Sequence, residues 1–338
     1  MTALIIHQAS AGLTLQDMGR PNRLAQGLSR AGAADPLALI EAAALLNLPA
    51  PVSSLEMPMM GGTFEVTAPT RVALTGAQMQ ASMNGAPVNW NTTVTLKIGD
   101  RLTIGPARKG TYGYLTPANG FATEPVMGGQ GTHLTAGIGE RLTQGAQIAL
   151  HPDDAPDRPP MVLRPDERLS GGPIRVMPGP QTDLFDSATI NRFFATAFTR
   201  STTGNRQGVR LDFDDAPFAS ETKSLASDVI QPGDIQMTGD GIPYVLLTEC
   251  QTMGGYPRIG TVIPQDLPRV AQAAPGTALT FQRITLEQAD ALWQPMTETL
   301  KALRKRVQPL RRDPHDIPDL LSYQLIGGMV RGDEGDAT

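Results

Sequence analysis

The chain has 338 residues with a formal net charge of −5 and a single cysteine, Cys250. A sequence pI of about 5.4 and the lack of a basic stripe argue against nucleic-acid binding. The longest apolar runs, such as Ala42–Leu48, are too short to cross a bilayer, and the N-terminus lacks a cationic signal-peptide region. One cysteine excludes an intrachain disulfide and a cysteine zinc cluster. We therefore expect a cytoplasmic protein that binds neither nucleic acid nor a membrane.

Short β-rich runs that end at turn signals dominate the first part of the sequence and predict strands. They lie at Phe64–Val66, Val72–Leu74, Val94–Leu96 and Arg101–Ile104. One helix stands out among them. Asp35 is a suitable N-cap, Pro36 fits the first helical position, and the apolar residues that follow continue to Pro49.

A proline- and aspartate-rich stretch at 152–173 interrupts this pattern, and we interpret it as a linker between two domains. An N-terminal β-rich lobe then covers 1–151, and a second β-rich lobe covers 174–292. The second lobe contains a predicted helix at Ser187–Phe198 and a shorter one at Gln265–Gln272. Together these patterns predict a mainly β (α+β) protein with two β-rich lobes.

Residues 293–338 form a predicted helical tail. Within it, Glu298–Val307 places Leu300, Leu303 and Val307 on one face and its basic residues elsewhere. A basic amphipathic helix can bind a membrane or nucleic acid. Because the helix has so few cations, packing of its apolar face on the body of the protein or on a partner is the favoured interpretation.

Several cofactor motifs are missing from the sequence. No glycine precedes a lysine, so there is no Walker A loop, and neither a dinucleotide-binding Gly-x-Gly-x-x-Gly nor a Met-Lys-Met biotinylation site occurs. The four histidines are scattered, so we expect no metal site. They are His7, His133, His151 and His315. Cys250 has no histidine close in sequence, which favours a buried structural cysteine over a nucleophile.

The segment from Gln16 to Asp35 is dense in glycine and charge. Its glycines, including Gly32, let the backbone turn sharply and approach a ligand, while Asp17, Arg20 and Asp35 could clamp a polar substrate or a carboxylate. The alternative is structural. In that case Asp17 pairs with Arg20 to hold a loop, and Asp35 only caps the helix.

A second dense segment contains Gly254, Gly255, Tyr256 and Arg258, after a short apolar run at Tyr244–Leu247. Such a turn offers free backbone N–H groups, a phenol and a guanidinium, which can bind an oxyanion or a carboxylate. The alternative is a tight structural turn in which Arg258 stacks on Tyr256.

Two further cations, Arg206 and Arg210, lie four residues apart around a glycine. They could bind an anion, or they could pair with Asp212, Asp214 or Asp215.

Taken in order, these segments resemble the carboxyltransferase-domain family that includes the second subunit of allophanate hydrolase and the C-type subunit of 5-oxoprolinase. The matching motifs are Gln-Asp-x-Gly-Arg at 16–20, x-Gly-Ala-x-Asp at 31–35, Leu-Thr-Gly-Ala at 74–77, Asn-Arg-x-Gly-x-Arg-Leu at 205–211 and Gly-Gly-Tyr-Pro-Arg-Ile at 254–259. The resemblance extends over residues 8–290. The sequence departs from the family pattern at Asn22, Ala34, Gln78 and Asn119, where the family usually has glycine, methionine, aspartate and glycine. A serine-rich segment of the family is Gly-Gln-Gly-Thr here, at 129–132.

The resemblance implies a cyclophilin-like β-barrel and one of three functions. The first is a subunit of an ATP-dependent 5-oxoprolinase-type complex that opens a small lactam, 5-oxoproline, to glutamate. The second is a biotin-dependent carboxyltransferase component acting on urea or a similar amide. The third is a non-catalytic regulatory partner of a subunit 1 type protein. In each case the chain assembles with a subunit 1 type homologue and a further subunit, and ATP or biotin comes through those partners.

We favour the first function and assign two sets of site residues to it. Asp17, Asp35 and Tyr256 are assigned as catalytic. The substrate-binding residues are Gln16, Arg20, Gly32, Arg206, Arg210, Gly254, Gly255 and Arg258. Because ligand sites favour domain junctions, we expect Asp17, Arg20, Tyr256 and Arg258 to line one cleft, with Arg258 exposed in it.

Overall fold

Two β-rich halves pack against each other in the computed structural model, which describes residues 2–218 and 225–311. The first half is built on a nine-stranded sheet, and the second is a closed seven-stranded barrel. This architecture confirms the prediction of a mainly β (α+β) protein with two β-rich lobes and a barrel. No helix in the described ranges is long and apolar enough to span a membrane.

The sheet of the first half, which we call the sheet lobe, consists of the first nine strands. They are β1 (Ala3–Ala9), β2 (Thr14–Gln16), β3 (Ser54–Pro58), β4 (Gly62–Val66), β5 (Thr70–Met83), β6 (Ala86–Pro87), β7 (Thr93–Leu96), β8 (Leu102–Pro117) and β9 (Gln147–Ala149). The main path runs β2-β3-β8-β4-β1-β9, and the long strand β5 pairs with β8 and also with β6 and β7. The alternation predicted at the start of β8 is confirmed, since Leu102 and Ile104 are buried and Thr103 is exposed.

Helix α1 (Pro36–Leu46) confirms the predicted helix, with Asp35 as an N-cap that accepts a hydrogen bond from the Ala38 N–H. It ends at Asn47, which adopts a left-handed conformation with φ of 58°. Every residue from Ala38 to Leu46 is buried. The helix is therefore buried around its whole circumference and not on a single face. Strand β5 covers one side, and a later helix at Met296–Arg304 covers another.

The stretch 152–173 connects the two lobes but is itself packed. It contains β10 (Met161–Val162) and a 3-10 helix at Glu167–Ser170. Leu163 and Leu169 are buried in it, and so is the charged side chain of Arg168. The stretch therefore contributes side chains to the protein interior and is not a free linker.

The second half, which we call the barrel lobe, is closed in the strand order β11-β18-β15-β16-β13-β12-β19. The barrel strands are β11 (Gly172–Met177), β12 (Phe198–Gly204), β13 (Gly208–Asp212), β15 (Asp234–Met237), β16 (Pro243–Leu246), β18 (Arg258–Val262) and β19 (Ala278–Arg283). Two short strands, β14 (Asp228–Val229) and β17 (Met253–Gly254), pair with each other in a separate ribbon. The predicted helices are present as α2 (Ser187–Ala195) and α3 (Leu267–Gln272). Phe193 of α2 packs against Phe198 and Phe281 with ring centroids 5.0 and 5.3 Å apart, which anchors this helix on the barrel.

The C-terminal part of the described chain returns to the sheet lobe. It contains α4 (Leu286–Leu292), α5 (Met296–Arg304) and β20 (Gln308–Pro309), which pairs with β10. Leu300 and Leu303 of α5 are buried against α1. The interpretation of this amphipathic helix as one that packs on the body of the protein is confirmed. The remainder of the predicted tail, 312–338, lies outside the described residues.

Buried polar groups join the two lobes. Arg206 of the barrel lobe forms ion pairs with Glu56 of β3 and, at 2.6 Å, with Glu249 of its own lobe. The Tyr114 hydroxyl donates to the other oxygen of Glu56 at 2.7 Å and accepts from the Asp35 N–H at 2.9 Å. These bonds form a continuous chain through the junction.

The chain of bonds continues from Asp35 through two further side chains. Arg168 donates from Nε to Asp35 Oδ2 at 2.8 Å and from its two terminal nitrogens to Glu41 at 2.8 and 2.6 Å. Gln272 of α3 also donates to Asp35 Oδ2 at 2.8 Å, and its own oxygen accepts the Tyr112 N–H at 3.0 Å. Burial raises the pKa of Glu41, and the Arg168 guanidinium opposes this shift.

We expect Arg168→Met to lower the free energy of unfolding by about 3–5 kcal/mol, because it would leave Asp35 and Glu41 buried without their shared cation. Urea denaturation followed by circular dichroism measures this loss. Lys301→Gln is the matched control, since its ion pair with Glu298 is exposed and contributes about 0–1 kcal/mol. Equal losses for the two variants would contradict the role assigned to Arg168.

Candidate functional site

Three cavities lie at the lobe junction or beside it. The largest, of about 520 Å³, is lined by the 18–36 segment of the sheet lobe and by barrel-lobe residues between 230 and 268, and we call it the loop cavity. The second, of about 470 Å³, has three arginines in its lining and is called the basic cavity. The third, of about 240 Å³, lies in the barrel lobe and contains Tyr256, so we call it the tyrosine cavity.

Two glycines let the 17–33 segment fold back on itself as one wall of the loop cavity. Gly19 and Gly32 have φ of +81° and +84°, and a Cβ on Gly32 would lie 2.6 Å from the Gly19 nitrogen. No other residue fits this contact. The Ala33 N–H closes the loop on the Asp17 carbonyl at 2.8 Å. Gly32 therefore shapes the wall, and its carbonyl accepts a hydrogen bond from Arg206.

Asp17 and Gln16 hold a neighbouring loop and line none of the three cavities. Asp17 Oδ2 accepts the Gln130 N–H at 2.7 Å, and Oδ1 accepts a backbone N–H of its own loop at 2.8 Å. Gln16 is fully buried and donates to the Thr132 carbonyl at 3.1 Å. Asp17 therefore holds a loop, as the structural alternative expects, but through backbone N–H groups and not through the expected ion pair with Arg20.

Arg20 is a buried cation of the loop cavity that is only partly paired. Its side chain is 1% exposed, and it donates to the carbonyls of Val126, Gly129 and Gly131 at 2.8, 3.1 and 2.6 Å. Its Nη1 is buried without a hydrogen-bond partner among the described residues. Burial lowers the pKa of the Arg20 guanidinium, and the charge of Asp17 opposes this shift. A guanidinium fixed in this way is preorganised to bind an anion such as a carboxylate.

The loop cavity also contains hydroxyl groups that sequence reasoning missed. Ser29 lines it, and its Oγ lies 2.9 Å from His133 Nε2. His133 Nδ1 lies 3.8 Å from Glu249 Oε2. Burial lowers the pKa of His133, with the charge of Glu249 opposing, so the imidazole is neutral near pH 7. Thr248 lines the same cavity with a buried, unpartnered hydroxyl.

This serine–histidine–glutamate chain leaves no signal in the sequence. Ser29 and His133 are 104 positions apart, and Glu249 belongs to the other lobe. The histidines are scattered in sequence, and only the tertiary structure brings one of them into contact with a residue of the cavity lining.

Asp35 does not contact any of the three cavities. It is fully buried, and its oxygens accept hydrogen bonds from the Ala38 N–H, Arg168 and Gln272. The predicted helix cap is confirmed. The assignment of Asp35 as catalytic stays a prediction, and in this arrangement both of its oxygens already accept hydrogen bonds from protein donors.

Arg206 and Arg210 differ in their surroundings. Arg206 lines the basic cavity, and although burial acts in the opposite direction, Glu56 and Glu249 raise its pKa. Arg210 is half-exposed, lines none of the three cavities and forms an ion pair with Asp212 at 3.0 Å. The alternative of pairing with a nearby aspartate therefore describes Arg210.

The second dense segment does not join the first in one cleft. Tyr256 is exposed and lines the tyrosine cavity, whereas Arg20 lines the loop cavity. Gly254 belongs to β17, and neither it nor Gly255 lines any of the three cavities. The expected shared cleft of Asp17, Arg20, Tyr256 and Arg258 is wrong, because the two segments lie on different walls.

Arg258 is 4% exposed, so the expectation of an exposed cleft arginine is also wrong. Its guanidinium forms ion pairs with Asp228 and, at 3.1 Å, with Asp234, and it donates to Gln181 at 3.2 Å. These contacts tie β18 to β15 and to the β14–β17 ribbon. Arg258 therefore stabilises the barrel lobe.

Cys250 lines both the loop cavity and the tyrosine cavity. It is buried, and burial raises the pKa of its thiol to about 12. The predicted burial of Cys250 is confirmed. Within residues 2–218 and 225–311, no group of three or more histidine, cysteine, aspartate or glutamate side chains is placed to hold a metal ion.

Comparison with known proteins gives consistent matches. The family described as carboxyltransferase domain, subdomain A and B, matches residues 26–283. The chain is 32% identical over 290 residues to the C-type subunit of 5-oxoprolinase from Escherichia coli, covering 85% of this chain and 93% of that protein. It is 28% identical over 298 residues to the corresponding 5-oxoprolinase subunit of Haemophilus influenzae, covering 87% and 95%.

A solved structure shares the fold. The urea carboxylase of Kluyveromyces lactis superposes with a TM-score of 0.77 at 21% identity, over 92% of this chain. The matched region is 31% of that longer chain.

We expect Arg258→Ala to lower the free energy of unfolding by about 3–5 kcal/mol, because Asp234 would stay buried without its cation. Arg210→Ala is the control in the same lobe, since its ion pair is half-exposed and contributes about 0–1 kcal/mol. Urea denaturation of both variants measures the difference. If Arg258→Ala unfolded at the same urea concentration as the wild type, the contacts of Arg258 would not stabilise the barrel lobe.

Titration of His133 should make stability depend on pH. Its pKa in the folded protein lies below the ordinary value of 6.5, so the unfolded chain binds this proton more tightly. The stability that the neutral His133 side chain contributes is complete above pH 6.5. This stability decreases as the pH falls from 6.5 through the lower pKa of the folded protein. Between about pH 7.5 and about pH 5.5, the wild type should lose more stability than His133→Gln. His151→Gln, which removes an exposed histidine, should follow the wild type; parallel curves for all three proteins would contradict this expectation.

Proposed function

This chain belongs to the carboxyltransferase domain family, and from that premise we propose that it is the C-type subunit of a 5-oxoprolinase-type complex. The proposed reaction opens the lactam of 5-oxoproline to glutamate, with water adding across the carbon–nitrogen bond and ATP hydrolysis driving the step. The likeness to the Escherichia coli and Haemophilus influenzae subunits supports this proposal. The structural observation that carries it is the loop cavity with its buried, unpartnered Arg20 Nη1.

The chemistry of the loop cavity suits a small lactam that carries a carboxylate. In the proposed complex the Arg20 guanidinium binds the carboxylate, while Met18 and Ile230 surround the ring methylenes. The hydroxyls of Ser29, from the sheet lobe, and Thr248, from the barrel lobe, both line the cavity and are suited to hydrogen bonds with the lactam amide. A substrate with an apolar ring and two polar ends therefore matches a cavity lined by a cation, apolar side chains and hydroxyl groups.

The proposed complex includes a subunit 1 type homologue and a further subunit. The sequence contains no nucleotide-binding or biotinylation motif, so ATP enters through those partners in this proposal. The chain alone should then lack activity. The loop cavity would supply substrate binding, and the partners would supply the phosphate chemistry.

The test is reconstitution of the chain with both partner subunits and measurement of glutamate release from 5-oxoproline with ATP hydrolysis. We expect Arg20→Met to lower kcat/KM by an amount that corresponds to about 2–4 kcal/mol, because a buried charge-assisted contact to the carboxylate is lost. Arg101→Met is the control, since it removes an exposed arginine of the sheet lobe. Circular dichroism and gel filtration check that each variant folds and assembles.

Three outcomes would contradict the proposal. They are activity of the isolated chain, full activity of the Arg20→Met complex, and absence of 5-oxoproline hydrolysis from an assembled wild-type complex. In the last case the same complex should be tested for the carboxylation of urea by carboxybiotin. The family's description as a carboxyltransferase domain favours that activity as the second candidate.

A further inference from the structure

The basic cavity contains an arginine that has no acidic partner among the described residues. Arg200 of β12 is 5% exposed, and its guanidinium donates through Nη1 to the Ser201 carbonyl at 2.7 Å. Its Nε is buried without a partner. Burial lowers the pKa of Arg200, which indicates that the surrounding protein does not compensate its charge.

A glycine lets the Arg200 guanidinium pack against the backbone. A Cβ on Gly204 would lie 3.1 Å from Arg200 Nη2, closer than side-chain carbons ordinarily approach. Gly204 and Arg200 both line the basic cavity. The guanidinium therefore lies at the cavity wall against bare backbone, and Nη2 is a donor that, like Nε, has no hydrogen-bond acceptor among the described residues.

Other donors surround the same space. Arg141 lines the cavity, is exposed, and has no carboxylate partner in the described part of the chain. Tyr112 also lines it, and because burial raises the pKa of its hydroxyl to about 12, it is a neutral phenol that can donate a hydrogen bond. Thr202 and Asn205 add a hydroxyl and an amide to the lining.

The charge balance of the cavity is positive. Its lining contains three arginines and one glutamate, Glu249. Arg206 forms ion pairs with this glutamate and with Glu56, which does not line the cavity. Arg141 and Arg200 thus remain as two cations without a carboxylate among the described residues, which suits a ligand with two negative charges.

We propose that the basic cavity binds the phosphate group of a small phosphate compound. At neutral pH a phosphate ester carries a charge of about −1.5 to −2 and presents three acceptor oxygens, which matches two arginines with hydroxyl and amide donors. A carboxylate carries one charge and two oxygens and would leave one arginine uncompensated. The volume of about 470 Å³ leaves room for an organic group attached to the phosphate.

This site is separate from the loop cavity. Thr248 and Cys250 line the loop cavity, whereas Glu249 between them lines the basic cavity, so this turn divides the two. Phosphate binding can therefore be measured on the isolated chain, and its outcome does not depend on the substrate proposed for the loop cavity.

Isothermal titration calorimetry of the full chain in a phosphate-free buffer tests the proposal with inorganic phosphate, glycerol phosphate and malonate. We expect both phosphates to bind and malonate to bind about tenfold more weakly or worse, because its two charges lie on separate planar carboxylates and not on one group with three acceptor oxygens. Tighter binding of glycerol phosphate than of inorganic phosphate would identify an ester as the ligand class, and the reverse order would identify free phosphate.

The variants Arg200→Met and Arg141→Gln should each weaken phosphate binding, the first by about tenfold or more because its contact is more buried. Arg283→Met, which removes an exposed arginine of β19, should bind as the wild type does. Because Arg141 is exposed, we expect Arg141→Gln to fold. Its phosphate affinity therefore tests the proposal even if Arg200→Met does not fold. No phosphate binding by the wild type, equal binding of malonate, or unchanged binding in both cavity variants would overturn the proposal.

Discussion

The ion pairs of Arg206 determine how the two lobes are placed. One guanidinium bonds to Glu56 of the sheet lobe, to Glu249 of the barrel lobe and to the Gly32 carbonyl of the loop between them. Separating or sliding the lobes would leave charges buried without partners, which costs several kcal/mol for each ion. The same contact therefore fixes the two lobes at the junction where the loop and basic cavities lie.

Caps, turn residues and apolar runs predict the elements whose formation depends on residues close together in sequence. Helix α1 is predictable because its N-cap, first-turn proline and apolar run are contiguous. Strand β5 is predictable only at Val72–Leu74, although it extends over Thr70–Met83, because pairing with β8 along most of its length keeps polar residues in an extended conformation. The prolines of the stretch 152–173 indicate a linker, whereas the burial of Arg168 depends on acids more than 120 positions earlier.

The candidate site is predictable in part. The sequence points correctly to Arg20 as a cation beside a cavity, since glycine-rich turns next to charge favour ligand approach. It also assigns Asp17 and Asp35 as catalytic and Arg258 as substrate-binding, because a charged residue has the same sequence signal whether it acts in a site or forms buried structural contacts. His133 and Arg200 carry no signal, because their importance comes from neighbours distant in sequence.

Two departures from the family pattern have a conformational reason. Asn22 and Asn119, where the family usually has glycine, have φ of 61° and 64°. Asparagine tolerates this left-handed conformation better than most residues, so the backbone can be retained. At Gly129, in place of the family's serine-rich segment, a Cβ would lie 2.8 Å from Arg20 Cγ. The small residue lets Arg20 lie directly on the backbone.

The return of the C-terminal segment to the sheet lobe has a consequence for synthesis on the ribosome. Helix α1 is covered by α5, and β10 gains its partner only when β20 has emerged, so the first lobe is completed by residues beyond the whole barrel. Contacts with such large sequence separation slow folding, and apolar surface stays exposed during that delay. During translation the nascent sheet lobe therefore presents an uncovered helix face to chaperones until the last described residues leave the exit tunnel.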